Sequence, residues 1–515
     1  MKRILAIVLS LAMILVVFLM AGCGDKPVET TASVGTSSTT GTSSTTGSSG
    51  GSETTSGSES SETTESTPGT TAEPTGTEKP YGFEDVDFGG TTFVIVADDG
   101  TTDGWNAAKE IYSDETDPIS VAVRYRNEVM EDLYNCTIRL EATADVGTLI
   151  SADVTGNQHN YDLYSIKYGS KSTSEAGTVY NLYNLGINFE NDWWDQNWVD
   201  TYSVKKSDGT LTMYTVLGDF ALSSFSATHA IMMNKTVYDN TGFSEDIYQL
   251  VRDKKWTMDK FVEMMKAAAH ENSGNSEFHY SEGDILGWVR TAHATHGLHV
   301  ASGLSIIGND NGAFVLEVTD NAAAWNDVIN KAIEVWSTEE SETLIYTDVQ
   351  NAVSGGKTLF GSEVLDVLER MKDVEGLSVG ILPYPLYSET QENYAHYVDN
   401  HVYCYAVPTS VPNIETLGEF LELFGYHSKY LVRTAWIDTY SYEYCNDIDS
   451  AEMLEIILDT RTYDPGYLYW ASYESDFSGF ISSGKNNVTK WADRNTTVIA
   501  DAIQQFIDTI SKNEA

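Results

Sequence analysis

Between Gly24 and Pro80 the chain is built from Ser, Thr, Gly and Glu, with almost no aliphatic or aromatic residue and a direct hexamer repeat, Gly35-Thr-Ser-Ser-Thr-Thr followed by Gly41-Thr-Ser-Ser-Thr-Thr. Such a stretch cannot bury enough apolar surface to offset the entropy lost on ordering its backbone. It therefore reads as a flexible tether with a root-mean-square reach of roughly 40–45 Å, and it confines folding to residues 81–515. What precedes it reads as an export signal. Lys2-Arg3 leads into an apolar run from Ile4 to Ala21, and Met20-Ala21-Gly22-Cys23 closes it with small residues and a cysteine. This order is that of a lipoprotein signal, residues 1–22, followed by Cys23 as the acylated new N-terminus. The expected arrangement is a diacyl (palmitate-type) anchor at Cys23, a tether over 23–80 that lifts a domain off the cell membrane, and a lipid-anchored protein on the extracellular face.

Charge narrows the partners. The chain has 515 residues, 76 acidic against 30 basic, for a formal charge of −46. An excess of that size repels phosphate, so nucleic acid and anionic lipid surfaces are excluded as the main partner. Four cysteines without a CxxC pair exclude a disulfide-dense scaffold, a thioredoxin-like site and a zinc ribbon. Cys404 and Cys445 are candidates for one bond, which spacing alone does not settle.

Within 81–515, strand and helix signals alternate. Thr92–Ala97 is a β-branched apolar run after the Gly89-Gly90 turn. Asp117-Pro118 supplies an N-cap and an N1 proline to a helix carrying Ile119, Val123, Met130 and Leu133 on one face. Cys136–Leu140 and Tyr161–Ile166 read as further strands, and Leu377–Leu382 as a later one. Trp256-Thr257-Met258 opens a helix, Trp325 to Trp336 follows the helical period, and a final helix capped near Thr496 carries Ile499, Ile503 and Phe506. Alternation of this kind predicts an α/β fold with a mostly parallel sheet and a helical C-terminus.

Several segments in order then carry a resemblance: the lipobox, Tyr161-Asp162-Leu163, Asp192-Trp193-Trp194-Asp195, Leu211–Asp219, Met233-Asn234-Lys235, Lys255-Trp256-Thr257-Met258-Asp259, Gly355–Phe360, Gly380–Pro385, Ala406-Val407-Pro408 and Tyr463-Asp464-Pro465-Gly466. Together they resemble the family 1 extracellular solute-binding lipoproteins of Firmicutes-type carbohydrate ABC importers. The resemblance implies a two-lobed periplasmic-binding-protein-like fold of type II with crossed connections. It implies a first lobe near 81–228 plus 348–405 and a second near 229–347 plus 406–515. It implies a monomer without cofactor that binds a small solute, an oligosaccharide above a peptide, for membrane permease subunits. The segment Gly361-Ser362-Glu363 departs from the pattern, since many sugar binders carry an aromatic there.

Sugar recognition needs aromatic rings for stacking and carboxylates for hydroxyl pairs. Trp105, with Asp98, Asp99 and Asp103, lies in the loop beyond the first strand, where open α/β sheets bind ligands; ligand contact and loop packing are both open. Asp284 and Trp288, four apart, would share one side of a helical turn as ligand contacts, against a capping Asp and a core Trp. Trp470, among Tyr467, Tyr469 and Tyr473, is a contact by the resemblance, and Thr228 and His229, at the first crossing between lobes, are either ligand contacts from the hinge or strand packing. Trp193, Trp194 and Trp198 read as a sugar platform or as packing, and the resemblance implies packing. His293, His296 and His299 recur every three residues without a partner carboxylate pattern, which argues against a metal, and Asn309-Asp310-Asn311-Gly312 reads as a turn. Nothing singles out a catalytic pair, and no GxSxG, P-loop or GxGxxG follows a strand. A secreted carbohydrate-active enzyme and a surface adhesion lipoprotein are the alternative readings.

Overall fold

The computed structural model describes residues 74–168, 174–470 and 472–513. The signal, Cys23 and nearly all of the tether lie outside the described residues.

Two sheets organise the chain. The first has four strands in the order Tyr403–Ala406, Leu163–Lys167, Thr91–Asp98, Cys136–Thr143. Thr91–Asp98 runs parallel to both of its neighbours, with Ile95 opposite Leu140 on one side and Leu163 on the other. Tyr403–Ala406 returns antiparallel at the edge. Phe93 to Ala97 are all buried, as a central strand covered on both faces requires. Helix Pro118–Tyr134 connects the first two strands; Asp117 caps it by accepting the Ser120 N–H at 2.9 Å, and Asn135 ends it in the left-handed conformation.

The second sheet has five strands in the order Ser341–Thr343, Leu286–Arg290, Thr358–Val364, His229–Asn234, Val379–Leu382. His229–Asn234 is antiparallel to both neighbours and wholly buried. The division of the chain between lobes therefore differs from the sequence-based expectation. Segments 358–364 and 379–382, expected in the first lobe, complete the second sheet, and the chain returns to the first sheet only at Tyr403. Helix Ile414–His427, expected in the second lobe, packs on the first, where Phe420 stacks on Phe93 with centroids 4.0 Å apart. The physical reason is that each of these segments is apolar and buried, so sequence alone does not say which sheet receives it.

Three connections cross between the sheets. Ser226–His229 and Val398–Tyr403 run side by side, joined by a bridge between Thr228 and Val398 and by the Asp399 N–H donating to the Ala227 carbonyl at 2.9 Å. The third is helical: Thr434–Asp438 packs on Pro118–Tyr134, while Thr439–Tyr444 packs on Val367–Met371. Beyond it, Asp449–Asp459 covers strand Val379–Leu382 and Val488–Ile510 packs on Ala322–Trp336, both in the second lobe. The last helix begins at Val488, one turn or more before the Thr496 cap read from sequence.

The folded part also begins earlier than residue 81. Gly76 is buried and its carbonyl accepts from His427 Nδ1 at 2.7 Å, while Glu78 accepts from the Tyr426 hydroxyl at 2.9 Å and Lys79 reaches the Val86 carbonyl at 2.7 Å. The tether boundary at Pro80 is thus corrected: polar composition hid a segment held by hydrogen bonds, not by apolar burial. Cys136, Cys404 and Cys445 are free and buried, so Cys404 and Cys445 are not paired. Among the described residues no helix is long and apolar enough to cross a membrane.

Candidate functional site

The loop following strand Thr91–Asp98 is built by its own aspartates. Asp98 accepts from the Gly100 N–H at 2.8 Å, Asp103 accepts from the Trp105 N–H at 3.1 Å, and the Asp103 carboxylate pairs with Lys167 at the end of the next strand. This presents Trp105, half-buried, at the carboxyl end of the first sheet, where ligands of open α/β sheets bind. Its indole stacks on the His401 imidazole, centroids 5.1 Å apart and planes at 23°, and its carbonyl accepts from the Tyr403 hydroxyl at 3.3 Å.

His401 leads to the second crossing, where the buried Asp399 gathers three imidazoles. Its Oδ1 is hydrogen-bonded to His401 Nδ1 and accepts the His401 N–H at 3.2 Å; its Oδ2 lies 3.7 Å from His293 Nδ1 and 3.9 Å from His229 Nε2. Burial alone would raise this carboxyl, but the hydrogen bond from His401 and the nearby His229 and His401 imidazoles outweigh it and hold the group well below the usual carboxylate range. Behind this layer, Tyr397 lies 5.1 Å from the His229 ring and 5.0 Å from that of His296, and its hydroxyl donates to Glu474 at 2.9 Å. Burial pushes Glu474 up to about 7 and, with the neighbouring His299 and His293, drives His296 well below the ordinary imidazole value. His229 comes from the start of the second sheet, His293 and His296 from the start of helix Ala294–Val300 that follows its strand Leu286–Arg290, Asp399 and His401 from the crossing, and Trp105 from the first lobe. One aromatic ring, one ionised carboxylate and several imidazoles thus meet where the lobes join.

Trp105 also lines a cavity of about 570 Å³ between the lobes. Lys109 and Glu110 of the first lobe, Ser223 and Ser226 at the first crossing, and Asp366 and Arg370 of the second lobe line it too. The volume and mixed polar and aromatic lining suit a small polar ligand. Glu110 is buried; burial pushes it up to about 7 although Tyr405 and Ser223 hydrogen-bond to it.

Of the residues expected at the site, Trp105 stands in it, and Asp98 shapes the loop that presents it. Thr228 is in the crossing, fully buried, with its hydroxyl donating to the Ser224 carbonyl at 2.7 Å, so it serves strand packing. Asp284 and Trp288 are not on a helix: Leu286–Arg290 is a buried strand. Asp284 precedes its amino end and accepts the Asn272 and His279 N–H groups at 2.7 and 2.9 Å, which organises a loop. Trp288 is a core residue, donating to Ser362 Oγ at 2.7 Å beneath the Arg290 guanidinium. The buried five-residue apolar strand has no periodicity to separate it from a helix turn. Trp470 is buried against Phe314 and Phe506, away from the cavity. Cys23 lies outside the described residues.

Sequence reasoning missed Asp399, His401 and Glu474. Asp399-Asn400-His401 interrupts an apolar run from Tyr397 to Ala406, and that interruption was the available signal. Rings of His293, His296 and His299 follow one another at 6.1 and 6.0 Å rather than converging, and among the described residues no three His, Cys, Asp or Glu side chains are grouped to hold a metal. Asn309–Gly312 forms the turn of hairpin Ile307–Leu316, with Asn311 and Gly312 at positive φ.

No family model matches the chain, and no curated protein matches it. Among solved structures it is similar to a cyclo/maltodextrin-binding protein complexed with maltotetraose, at 10% identity and a TM-score of 0.51, covering 82% of this chain and 96% of that one. It is similar also to the galacto-N-biose-/lacto-N-biose I-binding protein of an ABC transporter from Bifidobacterium longum, in complex with lacto-N-biose, at 13% identity and a TM-score of 0.51, covering 82% and 98%. At such identities what is shared is the architecture. The chain has the two-lobed, mixed α/β fold of solute-binding proteins, with a helical C-terminus.

Proposed function

We propose that this chain captures a small solute, an oligosaccharide, between its lobes and delivers it to the permease of an ABC importer on the outer face of the cell membrane. The observation that carries the reading is Trp105: a ring from one lobe, held against His401 at the crossing, on the wall of a cavity that the other lobe completes with Asp366 and Arg370. Stacking on such a ring, with carboxylates and imidazoles taking hydroxyls, is how a sugar is held. The neighbours in fold, a protein complexed with maltotetraose and one in complex with lacto-N-biose, support the same class. The order of charge, apolar run, small residues and Cys23 supports a diacyl anchor, and the Ser/Thr/Gly tether supports display at a distance from the membrane.

Because both lobes touch the ligand together only when closed, binding favours the closed form by its differential affinity. Small-angle scattering of the protein with and without an oligosaccharide that raises its melting temperature tests this. A smaller radius of gyration with ligand is expected; an unchanged radius with saturating ligand contradicts capture between the lobes.

A further inference from the structure

A second cavity, of about 500 Å³, lies on the seam between the lobes and shares no lining residue with that of Trp105. Trp194, Asp219, Tyr430 and Arg433 line it from the first lobe, Leu458 and Arg461 from the second. The charged side chains here are tied across the seam. Arg433 donates to Glu455 at 2.5 Å and to Asp459 at 2.8 Å; Arg461 meets Asp195 at 2.7 Å and donates to Ser224 Oγ at 2.7 Å. These bonds leave three buried atoms over, the Trp194 indole Nε1 among them. Asp219, 4% exposed, has no hydrogen-bond partner at Oδ2, and Arg461, 5% exposed, has none at Nε. Buried polar groups are rarely left so, because an unpaired one keeps the full cost of leaving water.

The orphaned atoms make opposite demands, Asp219 Oδ2 needing a donor and Arg461 Nε and Trp194 Nε1 each needing an acceptor. An anion that satisfied Arg461 would meet the Asp219 carboxylate, and a cation that satisfied Asp219 would meet the guanidinium. A hydroxyl group serves either, and vicinal hydroxyls serve both at once. Trp194, Tyr430 and Leu458 add apolar surface for the carbon face of such a molecule. We propose that this cavity is a second binding site, for a small neutral polyhydroxylated molecule whose hydroxyls donate to Asp219 Oδ2 and accept from Arg461 Nε. Since the two residues belong to different lobes, its occupant bridges them.

Calorimetric titration of the full chain with glycerol, D-glucose, maltose and diglycine tests the proposal, using wild type, Asp219→Asn, Thr434→Trp and Trp105→Ala. Thr434 is exposed on the cavity rim, so its replacement plugs the cavity without touching the buried ion pairs. The expected result is a polyol or sugar whose binding weakens at least tenfold in Thr434→Trp and in Asp219→Asn and stays within twofold in Trp105→Ala. Three results would overturn it: no polyol binding that Thr434→Trp removes, meaning ordered water only; loss confined to Trp105→Ala; or diglycine bound in preference to every polyol.

Discussion

Glu110 offers a sharp test of the chemistry at the first cavity. Its carboxyl is buried where Ser223 of the first crossing and Tyr405 of the first sheet both donate to it. Burial dominates and pushes it from 4.5 up to about 7. The folded state thus holds a proton here over a range in which the unfolded chain has released it, so stability falls as pH rises from about 4.5 to about 7 and is level outside that window. Between pH 5 and pH 8 this one group lowers stability by ~2.5 kcal/mol. Glu110→Gln keeps the shape and a carbonyl for the Ser223 N–H, and its amide can donate to Tyr405, but it does not titrate. Urea denaturation followed by tryptophan fluorescence, at pH 5 and pH 8, gives the difference between wild type and variant, in which all other titrating groups cancel. The variant should gain ~2.5 kcal/mol on wild type in going from pH 5 to pH 8. A difference that stays constant to within about 0.5 kcal/mol would refute the reasoning, because it would mean that Glu110 is ionised throughout.

Other outcomes follow from the same contacts. A chain starting at Pro74 should match the stability of one that retains the tether, whereas one starting at Tyr81 loses the Gly76 acceptor of the buried His427 and about 1–3 kcal/mol; equal urea midpoints would contradict this. Trp288→Ala should cost about 3–5 kcal/mol of folding stability, as a core cavity does, with ligand affinity unchanged once corrected for folded fraction; a selective loss of affinity would restore it to the site. Cys23→Ser should release the protein to the medium or leave the precursor uncleaved, which fractionation and mass determination of the N-terminus read directly.

The legible parts of the fold were those whose signals are local. Strand Thr91–Asp98, the Asp117-Pro118 helix start, the helix opened by Thr257 and the helix carrying Trp325 to Trp336 each have their own cap or period. Sheet membership is not local: Thr358–Val364 is buried at every position and would read the same in either sheet. The site divides likewise. The position of Trp105 on a cavity wall was legible because a strand end followed by an aspartate-rich loop marks the edge at which open α/β sheets bind ligands. Asp399, beside His229, His293 and His401, and Glu474, beside His296 and Tyr397, are 75 residues apart and come together only through the crossing of the chain. Trp288 and Trp470 misled because abundance of aromatics says nothing about which ring is left at a surface.

The central claim, that a saccharide is held between the lobes on Trp105, is tested most directly by calorimetric titration of wild type and Trp105→Ala with a panel of maltodextrins and other oligosaccharides. The account predicts a saccharide that binds wild type and binds Trp105→Ala with a loss of about 1–3 kcal/mol, roughly 5- to 150-fold, given the apolar area such a ring covers. Failure of Trp105→Ala to weaken the binding of any oligosaccharide at least fivefold, or no oligosaccharide bound by either protein, would contradict it.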